Sequence, residues 1–303
     1  MRISTSTMTS MATNSMGSAN NTYYDILSKI ASGKNFTKVS ENVTDATKVL
    51  KLKDQLAQLE EYQSNIKAAT SEMNLVYDTL AQVTDELDSI NGLILEASSA
   101  TTTPESAKAI ATEIRERVET IKDKMNTKYL DNYIFSGTYT QDAAYVKNDD
   151  GDIVYQGSSE KAGDRNLTIA EGKTFTYNFT GEEIFGKQDG INDFFSQMKE
   201  LDELLTTDTL DYETIRTKLD VIDSAHKGVV QANGKVSAYV TKLQATQDAN
   251  NDTITKLTED RVDLEEVDIT KAATDLANAQ TAMQASYLIG TRILGSVSLL
   301  DYI

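Results

Sequence analysis

The chain has 303 residues, 47 of them acidic and 29 basic, for a formal charge of −18, with one His, one Pro and neither Cys nor Trp. That much negative charge repels phosphate and no local basic patch offsets it, which argues against nucleic-acid binding, while the lack of cysteine removes disulfides, thiolate catalysis and cysteine zinc sites. No stretch reaches the roughly 18 consecutive apolar residues of a membrane span, and Met1 to Asn20 lacks the apolar core of a cleaved secretory signal, so neither membrane insertion nor ordinary Sec export is expected.

The first strong pattern is a seven-residue ladder, Leu52, Leu59, Ile66, Met73, Leu80, Leu87 and Ile94, partnered by Tyr62, Ala69, Val76, Val83 and Ile90. This is a coiled-coil seam and predicts a helix from near Asp45 to Ala100, about 80 Å long at 1.5 Å per residue and longer than a compact domain accommodates. Thr103-Pro104-Glu105 then reads as a helix start, with Thr as N-cap and Pro at the first helical position, and this helix is expected to run to about Tyr129. From Phe135 to Gly186 the pattern changes. Asp152 to Tyr155 and Thr174 to Phe179 alternate polar with β-branched or aromatic residues, and Asp150-Gly151 is a hairpin signal.

Helix is expected again near Ile191, and a second ladder begins at Tyr212 with rungs at Ile215, Ile222, Val229, Val236, Leu243, Asn250, Leu257 and Leu264. Several of its partner positions are polar, which suits a bundle better than a uniform zipper. Asp268 to Ile303 is amphipathic through Leu276, Met283, Ile293, Val297 and Leu300, with small residues that permit close helix contact. The expected fold is mainly α: a long antiparallel coiled-coil or helical-bundle rod formed by N- and C-terminal arms, with a small β-rich insertion. The segments are 1–36, 37–135, 136–188, 189–266 and 267–303, in order a terminal arm, the first part of the rod, the insertion, the second part of the rod and a terminal helix. The rod core is expected at Leu59, Ile66, Met73, Leu80, Leu87, Ile222, Val229, Val236 and Leu243.

Candidate chemistry is sparse. His226, the one imidazole, sits on a heptad rung and is read as structural. Asn148-Asp149-Asp150-Gly151-Asp152 resembles part of a calcium loop, but Val146 stands at the first ligand position and no Glu follows at the needed spacing, so a hairpin turn is the better reading. Glu182-Glu183 is read as a solvated turn, and Ser32-Gly33-Lys34 lacks the glycine spacing of a phosphate loop. Nothing here demands an enzyme, and no cofactor or metal is expected.

Certain segments carry a resemblance. Arg2-Ile3-Ser4-Thr5, Ala31-Ser32-Gly33-Lys34, the run from Leu56 to Ile66, Phe135-Ser136-Gly137-Thr138, Val267-Asp268-Ile269, Gln280 to Ala285 and the ending Ser298 to Ile303 are similar to corresponding stretches of the bacterial flagellin superfamily. Within it the chain resembles the branch at the hook-filament junction. It departs from the family where an Asp-Asp-Pro stretch is common, offering Glu41-Asn42-Val43-Thr44-Asp45 instead. The resemblance implies a structural component of the flagellum, secreted through the flagellar type III apparatus. It also implies partners: another hook-associated protein of the junction, flagellin, copies of itself in a ring, and an export chaperone. Flagellin itself and a cytoplasmic coiled-coil adaptor are the alternatives.

In an isolated subunit the two end segments are expected to lack a partner and to be mobile, and to become helical on assembly. The interface is then expected at Leu276, Met283, Ile293, Val297 and Leu300. The insertion is expected to be replaceable by a short linker without loss of the rod.

Overall fold

The structure, a computed structural model, describes residues 5–137, 140–157, 165–186 and 193–300, with side chains described to residue 293 and from residue 6. Its elements are α1 (Thr5–Ser32), α2 (Val43–Ala97), α3 (Pro104–Met125), β1 (Lys128–Tyr129), β2 (Asn132–Tyr133), β3 (Tyr145–Lys147), β4 (Ile153–Tyr155), β5 (Arg165–Ala170), β6 (Lys173–Tyr177), α4 (Gly181–Phe185), α5 (Phe194–Thr206), α6 (Tyr212–Glu265) and α7 (Ile269–Leu300). The chain divides into two units, Met1–Gln58 with Asp252–Ile303, and Leu59–Asn251. Segment limits drawn at 36/37 and 266/267 therefore fall inside the first unit.

In the second unit, α2 and α6 run antiparallel. Gln63 Nε2 of α2 donates to the Gln247 carbonyl at 3.1 Å and to Asn251 Oδ1 at 2.9 Å, and His226 Nε2 of α6 lies 3.1 Å from Asp88 Oδ1 of α2. Heptad residues Ile66, Met73, Leu80, Leu87, Ile222, Val229, Val236 and Leu243 are all buried. Leu59 is corrected: it is only half-buried. α3 adds its own seam of Ala107, Ile110, Ala111, Ile114, Val118, Ile121 and Met125, starting at an N-cap where Thr103 Oγ1 accepts from the Ser106 amide at 3.3 Å. The helix stops at Met125, short of the expected Tyr129, because Lys128 and Tyr129 turn into a two-residue strand pair with Tyr133 and Asn132.

Among the described residues, the β segment contains three separate antiparallel hairpins. In β3–β4, Asn148 Oδ1 accepts from the Asp150 amide at 3.1 Å and the Asp152 amide at 2.7 Å, organising the turn, and Gly151 takes φ +83. β5–β6 is locked onto the long helices by polar contacts. Asn65 of α2 donates to the Thr168 carbonyl, Asn250 of α6 donates to the Ile169 carbonyl, both at 2.9 Å, and Arg165 and Tyr177 reach Glu72 of α2. The polar rung at Asn250 is thus occupied by a strand carbonyl and not by a helical partner.

Phe135, Ile169, Phe175, Phe179 and Phe185 belong to the same buried cluster as the helix seam, with the Phe175 ring 5.3 Å from that of Tyr239 on α6. Removing the β segment would uncover this helix face, so a linker replacement is expected to lower stability and not merely shorten the chain.

Close packing of α4 on α6 makes a glycine pair informative. A Cβ at Gly228 would lie 2.2 Å from the Ile184 carbonyl oxygen, whereas one at Gly234 meets nothing within 4 Å. Gly228→Ala is expected to destabilise by about 1–3 kcal/mol through backbone overpacking. Gly234→Ala, in the same helix, is expected to stabilise by up to about 1 kcal/mol from helix propensity. Urea unfolding of the two variants side by side checks the sign change.

Candidate assembly interface

In the first unit, α1 packs along α7. The expectation that the end segments lack a partner within the chain is corrected by this pairing. On α7 the least exposed positions are Ala272, Leu276, Ala279, Met283, Ser286, Gly290 and Ile293, spaced by alternating four and three residues, with Ala272, Ala279 and Gly290 buried. On α1 the less exposed positions include Thr9, Ala12, Met16, Ala19, Tyr23, Ile26 and Ile30, with the matching three and four spacing, flanked by Asn20 and Lys29. This is a heptad seam between two helices. At Gly290 the helices approach closely: a Cβ there would lie 2.4 Å from Met16 Sδ, so the methionine fills the space that a side chain would take.

Of the interface residues expected from sequence, Leu276, Met283 and Ile293 are half-buried on this intramolecular seam. Val297 and Leu300 continue the same spacing within the α7 helix, and their side chains lie outside the described residues. Solvent reaches a different set of apolar groups: Met8, Met11, Tyr24 and Leu27 on α1, and Ile269, Tyr287, Leu288 and Ile289 on α7. Leu288 and Ile289 are each 57% exposed and Met11 is 62% exposed. Large apolar side chains concentrated on the outward faces of one helix pair mark a binding surface. They went unrecognised in the sequence because the seam residues, at ideal spacing, look like the face to be covered from outside. The signal that separates the two faces is the second stripe on α1, Ala12, Met16, Ala19, Tyr23, Ile26 and Ile30, which stands out once Ser and Thr are treated as neutral.

The other motifs are structural. Glu183 pairs with Lys235 at 2.8 Å, and Glu182 stands in the first turn of α4. Ser32-Gly33-Lys34 forms the turn after α1, with Gly33 at φ +70. A cleft of about 390 Å³ between α3, the β3–β4 hairpin and α5 has an apolar floor including Ile114, Val118 and Met198. Its rim is closed by ion pairs within the chain, Arg115–Asp202 at 2.6 Å, Lys147–Glu119 at 2.6 Å and Lys199–Asp152. Cations so paired are poorly placed to capture a ligand anion.

Long helical arms from both chain ends, a shared heptad seam and an outward apolar face define a subunit built for assembly. Residues 3–140 match the bacterial flagellin N-terminal helical region and residues 219–303 match the bacterial flagellin C-terminal helical region, and the chain belongs to the flagellin family. It is 22% identical over 287 residues to flagellar hook-associated protein 3 of Escherichia coli strain K12, covering 88% of this chain and 89% of that protein. Its fold is similar to that of a Vibrio parahaemolyticus protein described as flagellar hook-associated, with a TM-score of 0.69, 22% identity and coverage of 75% of this chain and 100% of that one. It is also similar to hook-associated protein 3 of Legionella pneumophila, with a TM-score of 0.60, 17% identity and coverage of 70% and 98%.

Proposed function

We propose that this chain is a structural subunit of the bacterial flagellum, exported from the cell and placed at the junction of hook and filament, where flagellin polymerises on it. The observation that carries the assembly role is the exposed apolar set Tyr287, Leu288 and Ile289 on α7, with Met8, Met11, Tyr24 and Leu27 on the paired α1. The junction, in preference to the filament, is supported by the near full-length likeness to a hook-associated protein. Its partners on this reading are another hook-associated protein, flagellin and further copies of itself, with an export chaperone holding the C-terminal segment beforehand by helix-in-groove recognition. The role is mechanical, with no catalytic step.

The test is complementation of a strain lacking the gene. Leu288→Asp combined with Ile289→Asp is expected to leave the melting of Leu59–Asn251 intact and to abolish incorporation, so that cells build hooks but shed flagellin into the medium. Ile293→Asp, on the seam, is expected instead to weaken α1–α7 pairing. Normal filaments on cells carrying the double variant would refute the assembly surface. A chain as abundant as the filament in purified flagella would favour the flagellin reading.

A further inference from the structure

The segment leaving α1 and the segment entering α7 are stitched together. Lys34 pairs antiparallel with Glu266, the Asn35 amide donates to the Glu265 carbonyl at 2.8 Å, and the Val267 amide donates to the Gly33 carbonyl at 3.0 Å. The Asn35 side-chain amide spans the same gap, donating to the carbonyls of Glu266 at 2.7 Å and Leu264 at 3.4 Å. Above this backbone contact lies an ion triad. Glu265 Oε1 accepts from Lys34 Nζ at 2.8 Å and from Lys53 Nζ at 2.9 Å, while the Glu265 side chain is only 10% exposed. One carboxylate oxygen therefore ties the turn after α1, the body of α2 and the end of α6.

The neighbouring carboxylates are engaged elsewhere. Asp268 caps α7 by accepting from the Thr270 amide at 2.9 Å and the Lys271 amide at 3.1 Å, and Glu41 accepts from the Thr37 amide at 2.8 Å and the Lys38 amide at 3.3 Å. Arg261 lies one turn back along α6, and Glu266 takes part through its backbone. No second carboxylate is bonded to either lysine of the triad among the described residues.

We propose that Glu265, with Lys34 and Lys53, is an acid-releasable latch that keeps the exit of α1 and the entry of α7 joined, so that the terminal helices are held as a pair. The latch needs a charged carboxylate: a neutral acid has one proton to donate and leaves two half-shielded ammonium groups without a counter-ion. Hydrogen bonds from Lys34 first and Lys53 second hold the Glu265 carboxyl below its ordinary range. The latch is therefore complete above the usual carboxylate range and is lost as pH falls through the lower folded-state value.

The test is amide hydrogen exchange on the full chain, read as protection factors so that the intrinsic pH dependence is removed. The reporters are the two stitched amides, Asn35 and Val267, and the amide of Leu80 serves as the folding control. In the native chain both reporters are expected to be protected at pH 7 and to lose at least about tenfold together on acidification to about pH 3, with Leu80 retained. Glu265→Gln is expected to show the low value at pH 7 and a flat profile. Lys53→Met should lower protection by less and keep the pH dependence, because Lys34 still binds the carboxylate. If Glu265→Gln loses its helical circular dichroism, Lys34→Met with Lys53→Met takes its place, and a flat profile is again expected. Reporters that are unprotected in the native chain, a native profile without pH dependence, or the same dependence in Glu265→Gln would each overturn the latch.

Discussion

Replacing Leu80 by Asp is expected to cost at least about 4 kcal/mol, of the same order as the whole stability of an ordinary domain. Leu80 is completely buried in the seam with Met73, Val76, Val83 and Leu87. Two losses add. Removing the aliphatic side chain costs about 2–5 kcal/mol on the Leu→Ala scale, and placing a carboxyl where nothing can bond to it costs about 2–7 kcal/mol more. Leu80→Ala isolates the first loss. The introduced carboxyl escapes part of its penalty by staying protonated, so its folded-state pKa is raised above the unfolded one. The deficit is then smallest at acid pH and grows as pH rises through the carboxylate range up to the folded value. Urea unfolding followed by circular dichroism at pH 4 and pH 7 reads both effects. A midpoint equal to that of the native chain would remove the seam from the account of the fold.

Glu72→Ala is expected to cost about 3–5 kcal/mol, because it strands a half-buried guanidinium and a buried hydroxyl. Glu72 lies in the middle of α2 and is 4% exposed; the Arg165 guanidinium donates to both its oxygens, and the Tyr177 hydroxyl donates to Oε2 at 2.8 Å. The Arg165 guanidinium also sits 4.8 Å from the centroid of the Tyr177 ring, so the three side chains form one unit. Burial first, and the Glu72 carboxylate second, push the Tyr177 hydroxyl pKa upward, and it remains a donor throughout the physiological range. The contrast is with Glu72→Leu made together with Arg165→Leu. That pair removes both charges, leaves no ion unpaired and is expected to recover most of the loss. A double-mutant cycle on urea midpoints measures the coupling, and exchange at the β5–β6 amides locates it. A single variant that loses less than about 1 kcal/mol would mean the network is solvated and holds nothing.

The long helices were legible because their signal is local. A seven-residue apolar repeat from Ile66 to Ile94 leaves a chain few alternatives, and α2 begins and ends within three residues of the expected limits. The same holds for the Thr103-Pro104 start and the Asp150-Gly151 turn, where two or three adjacent residues carry the information. Leu59 follows the repeat without being fully buried. Period alone says which face a residue is on and not how many neighbours cover that face.

What escaped is what depends on distant partners. β5 lacks a clear alternation, and its position is set by Glu72, Asn65 and Asn250, 93, 103 and 81 residues away from the strand residues they bind. α1 is rich in Ser, Thr and Asn, poor helix formers whose polar side chains compete for the backbone, yet it is helical because α7 offers it a complementary seam. The exposed apolar face of the terminal helix pair followed the same rule. The sequence by itself determined that the apolar stripe of α7 needed covering and that a flagellin-like arm was present. Only the tertiary structure decided that α1 covers the stripe through Met283 and Gly290 and that Tyr287, Leu288 and Ile289 face outward. The reason is physical: a stripe at helical spacing records that a face is buried, while the identity of what buries it lies in shape and distance between residues far apart in the chain.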